Sequence, residues 1–265
     1  MNNLHRELAP ISSAAWADLE EETRRTLTRH LAGRRVVDVD GPDGLELAAV
    51  GTGRRESLPE PADGVSAARR LSVPMIELRV PFTVSREEVD DVARGAQDAD
   101  WEPAKEAARK LAFAEDGLIV DGLASAGISG LRTPVTESVQ LGGDVMVIND
   151  HVAQAASLLR LAGVAGPWAL LLSADLYTLV SESSDHGIPI IDQVQRVLGT
   201  EGKIVWAPAI TGAVLLSTRG GDFSLHLGQD TSIGYHAHDR DVVELYLQES
   251  ISFLNFTPEA AVTLQ

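Results

Sequence analysis

GTGRRESLPEPADGVSAARRLSVP, running from Gly51 to Pro74, sets this chain apart from an ordinary globular domain. The stretch is polar and carries Gly53, Pro59, Pro61 and Gly64. It shows neither the 3.6-residue period of a helix nor the alternation of a half-buried strand. About 20 residues without structure of their own are unusual inside a compact domain. Such a segment is either disordered or an arm that finds its order on another subunit, and the second is the expectation here. The arm should then pack against neighbouring copies of the chain.

On the amino-terminal side, Ser12 or Ser13 can cap a helix and Gly33 can end it. Trp16, Leu19, Thr23, Leu27, His30 and Leu31 fall on one face of that helix. Either this stripe packs on its own domain, or part of it receives a partner peptide. Arg35 to Asp40 reads as a short strand, Gly41-Pro42-Asp43-Gly44 as a turn and Leu45 to Val50 as a second strand.

On the carboxyl-terminal side, Ile76, Leu78, Val80 and Phe82 alternate in a strand over Met75 to Val84. Ser85 with Glu88 reads as a capping box, and Val84 with Val89 as a hydrophobic staple, for a helix to Arg94. Pro103 starts a long helix over Ala104 to Ala126, and Ser129 to Gly143 is loop-like. Helices over 150–161, 175–182 and 190–198 alternate with strands over 168–172, 203–206 and 214–218, as in a small α/β unit. Val243, Leu245, Leu247, Ile251 and Phe253 then alternate over far more than the usual strand of about 5–6 residues, implying an extended sheet.

Composition narrows the function. The chain has 265 residues, a formal net charge of −17 and no cysteine. That charge repels phosphate, so nucleic acid is not expected as a partner. Without cysteine there is no disulfide, thiolate metal site or cysteine nucleophile. The start, Met1-Asn2-Asn3-Leu4-His5-Arg6, lacks a signal-peptide core, and apolar runs such as Trp168 to Leu172 are too short to span a bilayer. A soluble, cytoplasmic protein with no membrane partner is the expectation.

Catalytic signatures are missing. There is no P-loop, no G-x-G-x-x-G between strand and helix, no G-x-S-x-G and no H-E-x-x-H. The carboxylates read as solvated surface. His236-Ala237-His238 with Asp239 and Asp241 is the best metal candidate, since alternate histidines on a strand share a face. The charged run fits a hairpin turn better, so no metal, cofactor or catalytic residue is expected.

Several stretches together resemble the encapsulins, or linocin-like proteins, closest to the actinobacterial members. They are Leu8-Ala9-Pro10 with Trp16, Gly33 to Val39, Pro81-Phe82-Thr83, Leu170 to Asp175, Arg219-Gly220-Gly221-Asp222-Phe223, Leu227 to Asp230, and Ser232-Ile233-Gly234-Tyr235. The resemblance implies an α+β fold of the Hong Kong 97 phage-capsid type. Its expected parts are an N-terminal helix (1–33), a peripheral domain (34–47, 75–140 and 222–265), an extended loop (48–74) and an axial domain (141–221).

It also implies a structural shell protein, not an enzyme. About sixty copies would close into an icosahedral compartment around a cargo enzyme, a dye-decolourising peroxidase or a ferritin-like protein. The cargo's C-terminal targeting peptide would lie against Leu27, Leu31, Arg34, Asp38, Leu227, Asp230 and Ile233. Ser184, Asp185, His186, Gly187 and Ile188 would line a fivefold pore. Where some family members stack a flavin on tryptophan, this chain has Glu87, so no flavin is expected. A phage-derived capsid protein packaging nucleic acid is the alternative, and the acidic charge argues against it.

Overall fold

The computed structural model describes residues 3–133, 137–142 and 145–265, so part of the loop expected over 129–143 lies outside it. Helix α1 (Ser13–His30) begins where Ser12 Oγ accepts the Ala15 N–H at 3.2 Å. It buries Ala15, Leu19, Thr23 and Leu27. The chain then turns at once: Arg35 N and Val36 N donate back to Ala32 O and Gly33 O. Those bonds consume the first half of the expected strand, and β1 is only Asp38–Asp40.

The expected loop is a β-hairpin. β2 (Ala49–Ala62) pairs antiparallel with β3 (Val65–Pro74). There is no separate strand over 45–50. Nearly every residue of the hairpin is exposed on both faces, so no hydrophobic alternation could announce it. Pro59 and Pro61 lie between Leu58 and Ala62, where the register shifts, because proline has no N–H for the ladder.

β4 (Ile76–Ser85) leads into α2 (Arg86–Arg94), whose Ser85 cap accepts the Glu87 N–H at 3.1 Å. The expected capping box does not close, because Glu88 instead accepts the Asp100 N–H at 2.9 Å. Val84 and Val89 are both buried, as a staple requires. α3 (Glu102–Asp121) stops five residues short of the expected end. Gly122 takes φ 76°, and its Cα faces the Gly130 backbone so closely that a Cβ would sit 2.6 Å from Gly130 N.

Two five-stranded sheets follow. In the first, β13 (Val242–Asn255) is the spine. β4 pairs along its Val242–Ile251 stretch, while β11 (Phe223–Leu227) and β12 (Ser232–His238) pair with its second and first halves. The bonds Gly228 N to Ser250 O and Ser250 N to Gln229 O carry the ladder between them. β1 adds in parallel to β11. α1, α2 and α3 cover β4, β12 and β13 with a core that includes Leu19, Phe82, Val84, Trp101, Leu111, Val243 and Leu247.

The second sheet runs β5 (Ser138–Val139), β14 (Ala261–Leu264), β10 (Ala213–Ser217), β6 (Trp168–Leu172) and β9 (Lys203–Trp206). β6, β10 and β14 are buried throughout, since α4 (Ile148–Leu161), α5 (Ala174–Glu182) and α6 (Ile190–Leu198) pack around them. The last strand thus crosses from the first sheet into the second. Between α5 and α6 the expected loop is a tiny ribbon, β7 (Ser184–Asp185) against β8 (Ile188–Pro189).

Glycines predict how this scaffold responds to mutation. Gly117, inside α3, has nothing within 4 Å of its would-be Cβ, whereas Gly130 would drive a Cβ to 2.4 Å from Gly122 N. Gly117→Ala should therefore raise unfolding free energy by roughly 0.5–1 kcal/mol. Gly130→Ala should lower it by about 1–3 kcal/mol. Denaturant melts of the two variants check the opposite signs.

Candidate functional site

The turn after α1 is bolted to α3 by buried acids. Asp116 is 1% exposed. Its carboxylate accepts the Ala32 N–H at 2.9 Å and the Gly33 N–H at 2.8 Å. Burial, opposed by those two N–H donors, pushes the Asp116 carboxyl up to about 7. Glu115, fully buried, grips Arg34 in a fork: Nε at 2.8 Å and Nη2 at 2.6 Å. Arg34 Nη1 donates to Asp230 at 2.8 Å, and Nη2 also reaches Glu249 at 3.2 Å. Burial alone would lower the arginine, but Glu115 and Asp230 outweigh it and hold it charged.

Beside this bolt lies a groove of about 490 Å³. Its apolar floor is Leu4, Leu27, Leu31, Ile233 and Leu247. One polar wall is Arg34, Asp230, Thr231 and Ser232, and the opposite side carries Arg6, Glu20, Thr23, Arg24 and Thr28. The N-terminal segment closes one end, where Tyr235 N donates to Leu4 O at 2.8 Å and Arg6 pairs with Glu20 at 2.5 Å. The volume, the apolar floor and the polar and charged walls suit a short extended peptide that carries both kinds of side chain. α1 packs on its own domain through Leu19, and it lends Thr23 and Leu27 to the groove with Leu31 just beyond.

Five of the seven residues expected to hold a peptide converge here: Leu27, Leu31, Arg34, Asp230 and Ile233. Two do not line the groove. Leu227 is buried in the core beneath the first sheet. Asp38 accepts the Gly221 N–H at 2.6 Å, in a separate cleft lined by Arg35, Lys203 and Asp222. Arg34 also differs from expectation, because three carboxylates engage it and only 19% of its side chain is exposed. Glu115, Asp116 and Glu249 contradict the reading of carboxylates as solvated surface. A signal existed for Glu115, which stands four residues after Leu111 and three before Leu118 on the buried stripe of α3.

Ser184, Asp185, His186, Gly187 and Ile188 come together in the β7–β8 ribbon. His186 and Gly187 take φ 49° and 82°, the two left-handed residues of a tight hairpin turn. His186 Nδ1 lies 2.6 Å from Asp185 Oδ1, and the ring is 93% exposed.

Other clusters do not make active sites. A bulge between Tyr235 and Ala237 breaks the alternation of His236 and His238, and His238 Nδ1 meets the Tyr235 hydroxyl at 2.6 Å. Asp239 closes the turn, accepting the Asp241 and Val242 N–H groups. Among the described residues no group of three or more His, Cys, Asp or Glu is placed to hold a metal ion. Ser224 Oγ stands 3.1 Å from His226 Nε2, but it donates to Asp40 at 2.7 Å, so the histidine is not arranged to take its proton. Among the described residues no helix is long and apolar enough to cross a membrane.

Residues 1–252 match the protein family Linocin_M18, described as "Encapsulating protein for peroxidase". The chain is 57% identical over 265 residues to the type 1 encapsulin shell protein of Rhodococcus erythropolis, covering 100% of both. Its structure superposes on the virus-like particle from Pyrococcus furiosus with a TM-score of 0.68 at 18% identity, covering 94% of this chain and 99% of that one. The capsid of Myoviridae phage XM1 superposes with a TM-score of 0.55 at 10% identity, covering 86% and 88%.

Removing the bolt should be costly. Asp116→Ala leaves two buried N–H groups without an acceptor, each worth about 1–3 kcal/mol, and should lower unfolding free energy by roughly 2–5 kcal/mol. In the wild type the raised Asp116 carboxyl contributes stability that is whole in acid and lost as pH rises through about 7. Asp116→Asn should flatten that slope. Denaturant melts from acid to alkaline pH measure both effects.

Proposed function

The chain belongs to the encapsulin family of shell proteins, with the fold of Hong Kong 97-type phage capsids, and from that premise we propose that it builds a cytoplasmic compartment around a cargo enzyme. It is a structural protein, as its named relatives are, and not an enzyme. In this reading about sixty copies close into an icosahedral shell. The cargo is a dye-decolourising peroxidase or a ferritin-like protein, so the compartment serves oxidative stress or iron storage.

The groove carries the reading. A cargo tail lies along Leu27, Leu31 and Ile233, with its backbone and polar side chains against Asp230, Thr231 and the rim of Arg34. Asp38, in its separate cleft, and Leu227, in the core, do not touch the tail. The β2–β3 hairpin serves assembly. A two-stranded ribbon is marginal in water by itself, and this one exposes Leu58 and Val65 with both outer edges unpaired. Packing against neighbouring subunits would cover them. The Asp185–His186 turn, repeated around a fivefold axis, would place a ring of polar groups at an opening.

Two experiments separate cargo binding from assembly. Leu31→Asp puts a carboxylate where apolar side chains of the tail should sit, at a cost of several kcal/mol. Shells of this variant should form normally. They should co-purify at least ~10-fold less of a fluorescent reporter fused to the C-terminal tail of a dye-decolourising peroxidase encoded in the same genome. Equal loading would overturn the groove reading. Replacing residues 52–72 with a short Gly-Ser turn removes none of the buried core. Circular dichroism should stay native while size-exclusion chromatography and negative-stain images show small oligomers in place of hollow particles. Particles of unchanged size would refute the role of the hairpin.

A further inference from the structure

Under the groove, more negative groups meet than positive ones. Arg34 Nη2 contacts Glu115 Oε2 at 2.6 Å and Glu249 Oε2 at 3.2 Å, so two carboxyl groups crowd one nitrogen. Glu115 is fully buried and Glu249 is 1% exposed. Asp230 takes the remaining Arg34 Nη1. Thr231 Oγ1 donates to Glu249 Oε2 at 2.8 Å. Glu249 Oε1 is buried and has no hydrogen-bond partner among the described residues.

α3 brings Glu115 and Asp116, and Asp116 is occupied by Ala32 and Gly33. The turn after α1 brings Arg34 and Arg35, and Arg35 donates to Thr28 O and Arg29 O. The β11–β12 link brings Asp230 and Thr231. β4 sets apolar Leu78 opposite Glu249 in register. On β13, the adjacent Gln248 bonds Arg79, Glu77 and Gln229 instead. One guanidinium is left to balance Glu115, Glu249 and Asp230.

Two ionised carboxylates this close, in a site this dry, repel each other, and a buried carboxylate oxygen without a donor is costly. A single proton resolves both problems. We propose that Glu249 holds a proton in the folded chain beside Glu115, and that this proton latches the polar wall of the groove. Losing it in alkaline solution turns the pair into two facing anions competing for Arg34. Asp230 and Thr231, which hang on Arg34 and Glu249, are then released, and the groove opens. Burial first, and then the charge of Glu115, raise the Glu249 carboxyl well above the ordinary range. A carboxyl raised on folding contributes stability that is whole in acid and lost as pH rises through its folded value. The latch is therefore closed at neutral and acid pH. Only its last consequence, release of an occupant, rests on the cargo-groove reading.

Infrared spectroscopy of the purified full-length chain, without cargo, tests the proton directly. The wild type should show a protonated-carboxyl C=O band at neutral pH that vanishes on alkalinisation, and part of this band should be missing from Glu249→Gln. Glutamine has nearly the shape of a protonated glutamate and should keep the fold. Hydrogen–deuterium exchange, corrected for intrinsic rate, should lose protection over residues 30–36 and 229–234 as the wild-type band disappears, and stay level in Glu249→Gln. Reporter loading should fall by up to ~10-fold per pH unit above the titration in the wild type and stay level in the variant. No difference in the protonated-carboxyl band between wild type and Glu249→Gln, or the same alkaline loss of protection in both, overturns the proposal. Should Glu249→Gln not fold, Asp116→Asn decides, since it removes the other raised acid: a band that survives belongs to the pair, and its absence overturns the latch. If loading alone fails to respond while band and protection do, the proton stands and the cargo reading falls.

Discussion

The grip of α3 on the turn that follows α1 governs how the first half of the molecule is built. Asp116 accepts two backbone N–H groups of that turn, and Glu115 takes the guanidinium of its next residue. In a solvent-exposed turn water would accept these N–H groups. Here the turn is buried, so a side chain must do it. The direction of α1, the placement of Leu27 and Leu31 and the anchoring of Arg34 all follow from that arrangement. Gly33 belongs to the same constraint, because a Cβ there would press to 2.4 Å from the Ile119 side chain.

β13 plays the matching role in the other half. A strand of 14 residues can serve three partners, and β4, β11 and β12 all register on it. Its first half is covered by the helices and its second half faces the larger core, which extends into the second sheet. β14 then pairs with β10, so the chain end ties the two sheets together. β13 and α3 both contribute to the two cores, whereas the β2–β3 hairpin has no buried residue of its own.

Charge is distributed with the same economy. The chain's net charge of −17 resides mostly on its exposed faces, yet a few acids stand inside. Three of them, Glu115, Asp116 and Glu249, meet arginine or backbone beside the groove, while Asp222 pairs with Arg219 in a separate cleft. An acidic surface resists non-specific association, so contacts between copies depend on shape and on unpaired edges such as those of the hairpin. The groove combines an apolar floor with polar walls, of which Arg34 and Thr231 are oriented by the buried Glu115 and Glu249.

Periodicity made several elements legible in the sequence. The stripe of α1, the alternation in β4 and β13, the continuous apolar run of β6 and the amphipathic helix α6 each have one buried face or two, and burial writes itself into residue order. The resemblance likewise groups Leu27, Leu31, Arg34, Asp230 and Ile233, which all line the groove. The hairpin was not legible as a hairpin, because its strands bury neither face and their order comes from each other. The crossing of residues 261–264 into the second sheet, the early stop of α3 at the Gly122–Gly130 contact, and the distance of Asp38 and Leu227 from the groove depend on how elements are placed in space. So do the buried positions of Asp116 and Glu249. An acidic residue carries no mark in the sequence of whether water or a buried arginine will meet it, and that choice belongs to the tertiary structure alone.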